Sequence, residues 1–314
     1  MAILRLALLI LSCVPWIGCS DLWKAPAPTQ SLAQEAFVKI CKEEFHYPVV
    51  VKTVGHTVWI YLPIEEDIFS LKANDEKPSE SSQKKRAFSV EYLDGHFDDR
   101  TFRLEYDILP VTKPMKGYGY QNAASEKYSR KKNNILTAIS RTYFDLGEEP
   151  GGPDSLNAEH ETGRQDVNKA HAGGEKPPDF FVIVITDIVN GIETEEIFYL
   201  KDFKRYMSQE MPHEEYSKRY LSEIKGDKSA IGDRAGNHLD YKEVTWPEFL
   251  IKQIIRRISF KYQTSDFQPT ENTEMEIVRI VGEAVKAYSF EDFTAVQLHN
   301  LRKDETYLFD KSQL

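Results

Sequence analysis

An α+β fold, antiparallel β-hairpins packed with amphipathic helices, is predicted by three features of the chain. Phe180 to Ile185 is a continuous β-branched and aromatic run, the composition of a strand buried on both faces. Asn190-Gly191, a pair that tolerates positive φ, joins that run to a second one within Asp179 to Lys201. Helical periodicity is cleanest near the other end, where Ile277, Ile280, Val281, Ala284, Val285 and Tyr288 trace one stripe. At 314 residues and 41% hydrophobic content the chain can bury a large core, which excludes disorder throughout. Its 40 Lys plus Arg against 50 Asp plus Glu give a net charge of -10, which argues against nucleic acid as a partner. The clusters Lys84-Lys85-Arg86, Arg130-Lys131-Lys132 and Arg256-Arg257 are short and read as solvated faces.

Met1 to Gly18 carries one early charge, Arg5, and then an apolar run from Leu6 to Val14, too short to span a bilayer and suited to a secretory signal. Trp16-Ile17-Gly18-Cys19-Ser20 follows. This stretch resembles the lipobox of bacterial lipoproteins, with Trp16 standing where the family usually has an aliphatic residue. The resemblance implies a signal peptide over 1–18, lipidation of Cys19 and a tether over 19–30 containing Pro26 and Pro28. Ser20 further implies the periplasmic face of the outer membrane under the proteobacterial sorting rule. Ile10-Leu11-Ser12-Cys13 is a second candidate with a short h-region, and a plain secretory cut near Ala25-Pro26-Ala27 would leave Pro28 just after it. With Cys13 discarded and Cys19 lipidated, Cys41 alone remains and no intramolecular disulfide forms.

The elements then follow in order. Ser31 with Gln34 forms a capping box for a helix carrying Ala33, Ala36, Phe37, Ile40 and Cys41 on one stripe. Val49 to Leu62 reads as a hairpin around Gly55-His56, closed by Pro63, and residues 72–86 as a polar loop. Phe88 to Leu93 and Thr101 to Leu109 form a third hairpin with one wet face: Phe102, Leu104, Tyr106 and Ile108 point one way, Arg103, Glu105 and Asp107 the other. Its turn is expected over Asp94 to Asp99. Asn133 to Phe144 is a helix, and 145–178 a flexible insertion without periodicity. Beyond it, Asp202 to Met207 and Glu214 to Ile224 are expected as helix, with a loop over 225–242. Thr245 with Glu248 and Thr273 with Glu276 cap two more helices, and Phe293 to Phe309 closes the chain as a hairpin. The organisation is an N-terminal α+β region over 31–144 and a C-terminal one over 179–314, or a single domain over 31–314, with recurring helix–hairpin units.

Chemical signatures are sparse. His96 and Asp98 in the expected turn, with His160 in the insertion, are the candidates for a metal or a hydrolytic site, although Asp and Gly there also serve turn geometry. Tyr118 and Tyr120 could form a binding platform. Cys41, on an apolar stripe, reads as a buried hydrophobe. Glu193, Glu195 and Glu196 read as a solubilising strand edge. His213-Glu214-Glu215 lacks the second His of a zincin, and neither a P-loop nor Gly-x-Ser-x-Gly occurs. No cofactor is expected. The chain is therefore expected to be a lipid-anchored envelope protein with a binding, scaffolding or assembly role and an envelope protein as partner. The rival readings are an envelope hydrolase assembled only in three dimensions and a purely structural lipoprotein.

Overall fold

A computed structural model describes residues 32–70, 88–110, 123–144, 177–263 and 272–314. The chain is α+β, with a five-stranded and a four-stranded sheet, a short two-stranded ladder of β3 (Phe69–Ser70) with β6 (Ala123–Ala124) and six α-helices among the described residues. No helix among them is long and apolar enough to cross a membrane.

The five-stranded sheet has the order β1-β2-β7-β8-β9, from β1 (Val50–Val54), β2 (Thr57–Ile64), β7 (Phe180–Asp187), β8 (Ile192–Tyr199) and β9 (Leu221–Gly226). Two hairpins, β1–β2 and β7–β8, lie side by side, and their inner strands β2 and β7 pair in parallel from Thr57↔Phe180 to Ile64↔Asp187. The four-stranded sheet repeats this plan. Its hairpins β4–β5 (Phe88–Asp98, Thr101–Pro110) and β10–β11 (Ala295–Asn300, Glu305–Asp310) meet through a parallel β5–β10 pair. Each sheet thus takes strands from both sides of residues 145–178.

The five-stranded sheet is covered on both faces, so β2 and β7 are buried at every position. One face packs Val58, Ile60, Leu62, Phe181, Ile183 and Ile185 against α1 (Leu32–Glu43) and α2 (Glu126–Tyr143). Gln34 ties α1 to β1 by donating to the Val51 carbonyl and accepting from Thr53. The other face packs Trp59, Tyr61, Phe180, Val182 and Val184 under residues 227–245 and Phe249 of α5 (Trp246–Gln263). That overlying segment is clipped down along β2: Trp59 Nε1 donates to the Lys242 carbonyl, Tyr61 OH to the Asp233 carbonyl, and Val244 N–H to Thr57 Oγ1. The four-stranded sheet packs Phe102, Leu104, Tyr106, Val296 and Leu298 against α5 and α6 (Thr273–Ala287). Its opposite face carries Arg103, Glu105 and Asp107, as the period-2 pattern predicts.

Several boundaries differ from the sequence expectation, each for a physical reason. The turn of the third hairpin is not at Asp94 to Asp99. β4 runs through to Asp98, and the reversal is made by Asp99 and Arg100 alone, both left-handed at φ 47° and 58°. Gly95 serves close approach instead, because a Cβ there would lie 2.6 Å from Leu104 Cδ2. β2 continues through Pro63, whose missing N–H is tolerated because it faces the β1 side, where pairing has already stopped at Val50↔Tyr61, while Ile64 bonds toward β7. Helix α2 starts earlier, at Glu126, capped by Ser125 Oγ. Helix α6 is capped by Asn272, whose side chain accepts from Glu274 and Met275 N–H, rather than by Thr273. The expected helix from Glu214 to Ile224 is two elements: α4 (His213–Arg219), packed beside α3 (Leu200–Met207), and then β9. The Thr245–Glu248 capping box forms as expected, with Thr245 N–H and Oγ1 donating to Glu248 and Glu248 N–H returning to Thr245 Oγ1.

Candidate functional site

A cleft of about 500 Å³ opens at the end of β2. Its walls are Phe45, Tyr47, Pro48, Leu62, Pro63 and Ile64, and its rim carries His46, Glu65, Glu66, Lys131 and Arg234. The wall exists because the chain leaves α1 through His46 in the left-handed region, at φ 58°, which turns Phe45 and Tyr47 toward β2. Tyr47 is then fixed from three sides: its N–H donates to the Cys41 carbonyl at 2.8 Å, its OH accepts from Asn134 Nδ2 at 2.8 Å, and Lys131 Nζ stands 5.3 Å over its ring. On the rim Glu66 accepts from Lys127 and Lys131, each at 2.9 Å, and these bonds bring its carboxyl down to about 2. Arg234 closes on Glu65 at 2.6 Å. An aromatic and proline wall beneath a paired rim of both signs suits an amphipathic partner, with apolar contact below and orientation by charge above. No local motif marks it, since its residues come from α2, the segment after α1, the end of β2 and the 227–245 segment.

Glu193 and Glu196, expected as a solubilising edge, are buried at 0% and 2% exposure. The reason is β9, which pairs with β8 and removes its edge. On one face Glu193 Oε2 meets His238 Nε2 at 2.9 Å and accepts from Thr186 Oγ1 at 3.1 Å, while Lys225 Nζ lies 3.3 Å from Oε1. His238 Nδ1 faces Asp233 Oδ2 at 3.1 Å, and the imidazole packs edge-on against Tyr61. Burial opposes charge on His238, but the bonds and charges of Glu193 and Asp233 outweigh it and hold the imidazolium above its ordinary pKa. Burial likewise opposes charge on Asp233, yet the His238 ring and the Ala235 and His238 amides bring it down to about 2. On the opposite face Glu196 Oε1 accepts from Tyr128 OH at 2.7 Å and Lys132 Nζ at 2.8 Å, and Lys132 also donates to Tyr220 OH at 2.6 Å.

The Glu193–His238–Asp233 line has the components of a charge relay without its chemistry. The His238 side chain is 2% exposed, and both ring nitrogens are engaged by carboxylates. It therefore has no free nitrogen with which to take a proton from a nucleophile or water. Its work is to fasten residues 227–245 to the sheet.

The sequence candidates are not brought together. His96 and Asp98 sit two residues apart on β4, on the wet face, opposite Arg103 and Thr101 of β5. Asp98 lies 4.0 Å from Arg103. Among the described residues no group of three or more His, Cys, Asp or Glu is placed to hold a metal ion. His160, Tyr118, Tyr120 and Cys19 lie outside the described residues. Cys41 is a buried free thiol, pushed up to about 12 by burial and then by the Glu44 charge, so it is not nucleophilic. Glu214 and Glu215 pair with Lys218 and Arg219 on α4. Comparison with protein-family models, with curated proteins and with solved structures finds no match for this chain.

Proposed function

We propose that the protein is a lipid-anchored component of the bacterial cell envelope that binds another envelope protein and catalyses no reaction. The observation that carries the binding role is the cleft at the end of β2, whose Phe45, Tyr47, Pro48 and Pro63 wall offers apolar contact while Lys131, Arg234, Glu65 and Glu66 fix orientation. The anchor rests on the likeness of Trp16 to Ser20 to a lipobox, with Cys19 as the lipidated residue and the periplasmic face of the outer membrane as its place. The hydrolase alternative has less support, because the best-formed His–carboxylate line is closed to solvent.

Two experiments test the two halves. For the anchor, cells are fed a palmitate analogue: Cys19-dependent labelling is expected, and label that survives Cys19→Ala removes the assignment. For binding, a photo-crosslinker at position 45 is expected to capture a discrete envelope protein, with capture reduced at least about tenfold by Tyr47→Ser. Equal capture by both chains would overturn the role given to the cleft.

A further inference from the structure

The pair Arg256-Arg257, read from sequence as a solvated face, is half-buried on α5, with Arg256 near Tyr220, just past the end of α4, and Arg257 near Glu215 within α4. Arg256 Nη1 and Arg257 Nε and Nη2 are shut away from water and have no hydrogen-bond partner. Other arginines of the molecule meet carboxylates: Arg219 with Glu215 and Asp202, Arg141 with Glu44, Arg234 with Glu65, Arg302 with Asp107. Acid is in excess in the chain as a whole, 50 residues against 40 basic ones, so the two vacancies are not a shortage of partners.

The neighbouring acids are already engaged. Arg219 takes Glu215 at 2.8 Å and Asp202 at 3.2 Å, and Lys132 takes Glu196 Oε1 at 2.8 Å, so neither arginine has a carboxylate of its own, although Glu196 Oε2 is also without a hydrogen-bond partner and the Arg257 charge acts on Glu215 through space. The one unpaired acceptor on the same stretch of α5 is the neutral Gln253 Oε1, whose amide nitrogen is bound to the Arg219 carbonyl. A single amide oxygen cannot serve three enclosed donor nitrogens. Burial and the Arg257 charge both disfavour the Arg256 cation, with Tyr220 acting the other way. Proteins rarely leave such groups without an acceptor. Both residues are only half-buried, and planar guanidinium donors match a tetrahedral oxyanion.

We infer that Arg256 and Arg257 form a binding site for a phosphate-class oxyanion, either free phosphate or a phospholipid headgroup, on the α5 face beside Tyr220. Phe260, one turn beyond Arg256 and 70% exposed, would lie next to the apolar part of a headgroup ligand.

The test is thermal unfolding of the whole chain in phosphate-free buffer with added inorganic phosphate, against chloride at matched ionic strength. Phosphate at a hundred times its dissociation constant is expected to raise the midpoint by about 5–10 °C. Arg256→Gln and Arg257→Gln should each weaken phosphate binding at least about tenfold. Their midpoints without phosphate should stay level or rise, since each removes enclosed donors that have no hydrogen-bond partner. Arg257→Lys, which keeps the charge and loses the fork, should fall between, and exposed Arg130→Gln should leave the response intact. A phosphate response no larger than that of chloride would overturn the site, and so would a fall in the phosphate-free midpoint of both Gln variants. Vesicles of phosphatidylglycerol against phosphatidylcholine separate the sources: binding competed by inorganic phosphate assigns a headgroup, whereas a phosphate response without vesicle binding assigns the free anion.

Discussion

The two sheets are built on one plan and live in different surroundings. Each sets two hairpins side by side through a parallel inner pair, β2 with β7 and β5 with β10. The five-stranded sheet is roofed on both faces, whereas the four-stranded sheet has one face in the core and one in water. Both carry acidic strands. On β5 and β10 the side chains of Arg103, Glu105, Asp107 and His299 stand outside, half-exposed. On β8 the same residue types fall inside, and Glu193 and Glu196 must be met by Lys225, His238, Lys132 and Tyr128. Layering, more than strand composition, thus decides whether a carboxylate is solvated surface or a buried fastening.

Breaking each sheet at matched points should expose that difference, beginning with the largest effect. Phe181→Ala, which removes a ring packed against Tyr143 at 4.9 Å and Phe198 at 5.6 Å, should cost about 3–5 kcal/mol in denaturant unfolding. Leu308→Ala on exposed β11 should cost less than about 0.5 kcal/mol. Lys132→Ala leaves Glu196 buried without its cation and should cost roughly 3 kcal/mol, partly recovered by adding Glu196→Gln; no recovery would mean that the pair is not coupled. His238→Gln should cost about 2 kcal/mol and also change the pH profile. Because folding raises the His238 pKa, its contribution is complete below the ordinary histidine value near 6.5 and is lost as pH climbs through the raised one. Because folding lowers Asp233 to about 2, its contribution is complete above about 3.9 and is lost as pH falls toward 2. Wild-type stability should therefore peak between those limits, and His238→Gln should flatten the alkaline side. A variant with an unchanged alkaline limb would show that His238 does not carry it. Arg302→Ala, which breaks the exposed pair with Asp107 on the wet sheet, should change stability by less than about 0.5 kcal/mol.

Much of this architecture could be read from residue order. The buried run Phe180 to Ile185, the alternation along β5 and the stripe on α6 each lie where local periodicity and tertiary burial agree. The largest departure lies at one segment. Tyr216, Tyr220 and Ile224 recur at helical spacing, so periodicity predicts helix where β9 forms, and without β9 the edge of β8 is bare and Glu193 and Glu196 are expected to be solvated. No local signal separates those alternatives; the β8 partnership decides them. Asp94-Gly95 misled in a similar way, since the glycine is needed for contact with Leu104 and the turn falls on Asp99 and Arg100. The cleft and the unpaired arginines were not legible at all. The first is assembled from segments far apart in sequence, and the second is defined by acceptors that are missing.

The parallel pairs also bear on how the chain can fold. Thr57 pairs with Phe180 and Thr101 with Ala295, and the β4–β5 hairpin is threaded between the two halves of the other sheet in chain order. High contact order of this kind slows folding, because long loops must close before the pairing they permit gives any return. The strand β5 has no inner neighbour until the last hairpin has been synthesised. A nascent chain stopped short of Ala295 would present Phe102, Leu104 and Tyr106 along an open strand, a state in which aggregation competes with completion.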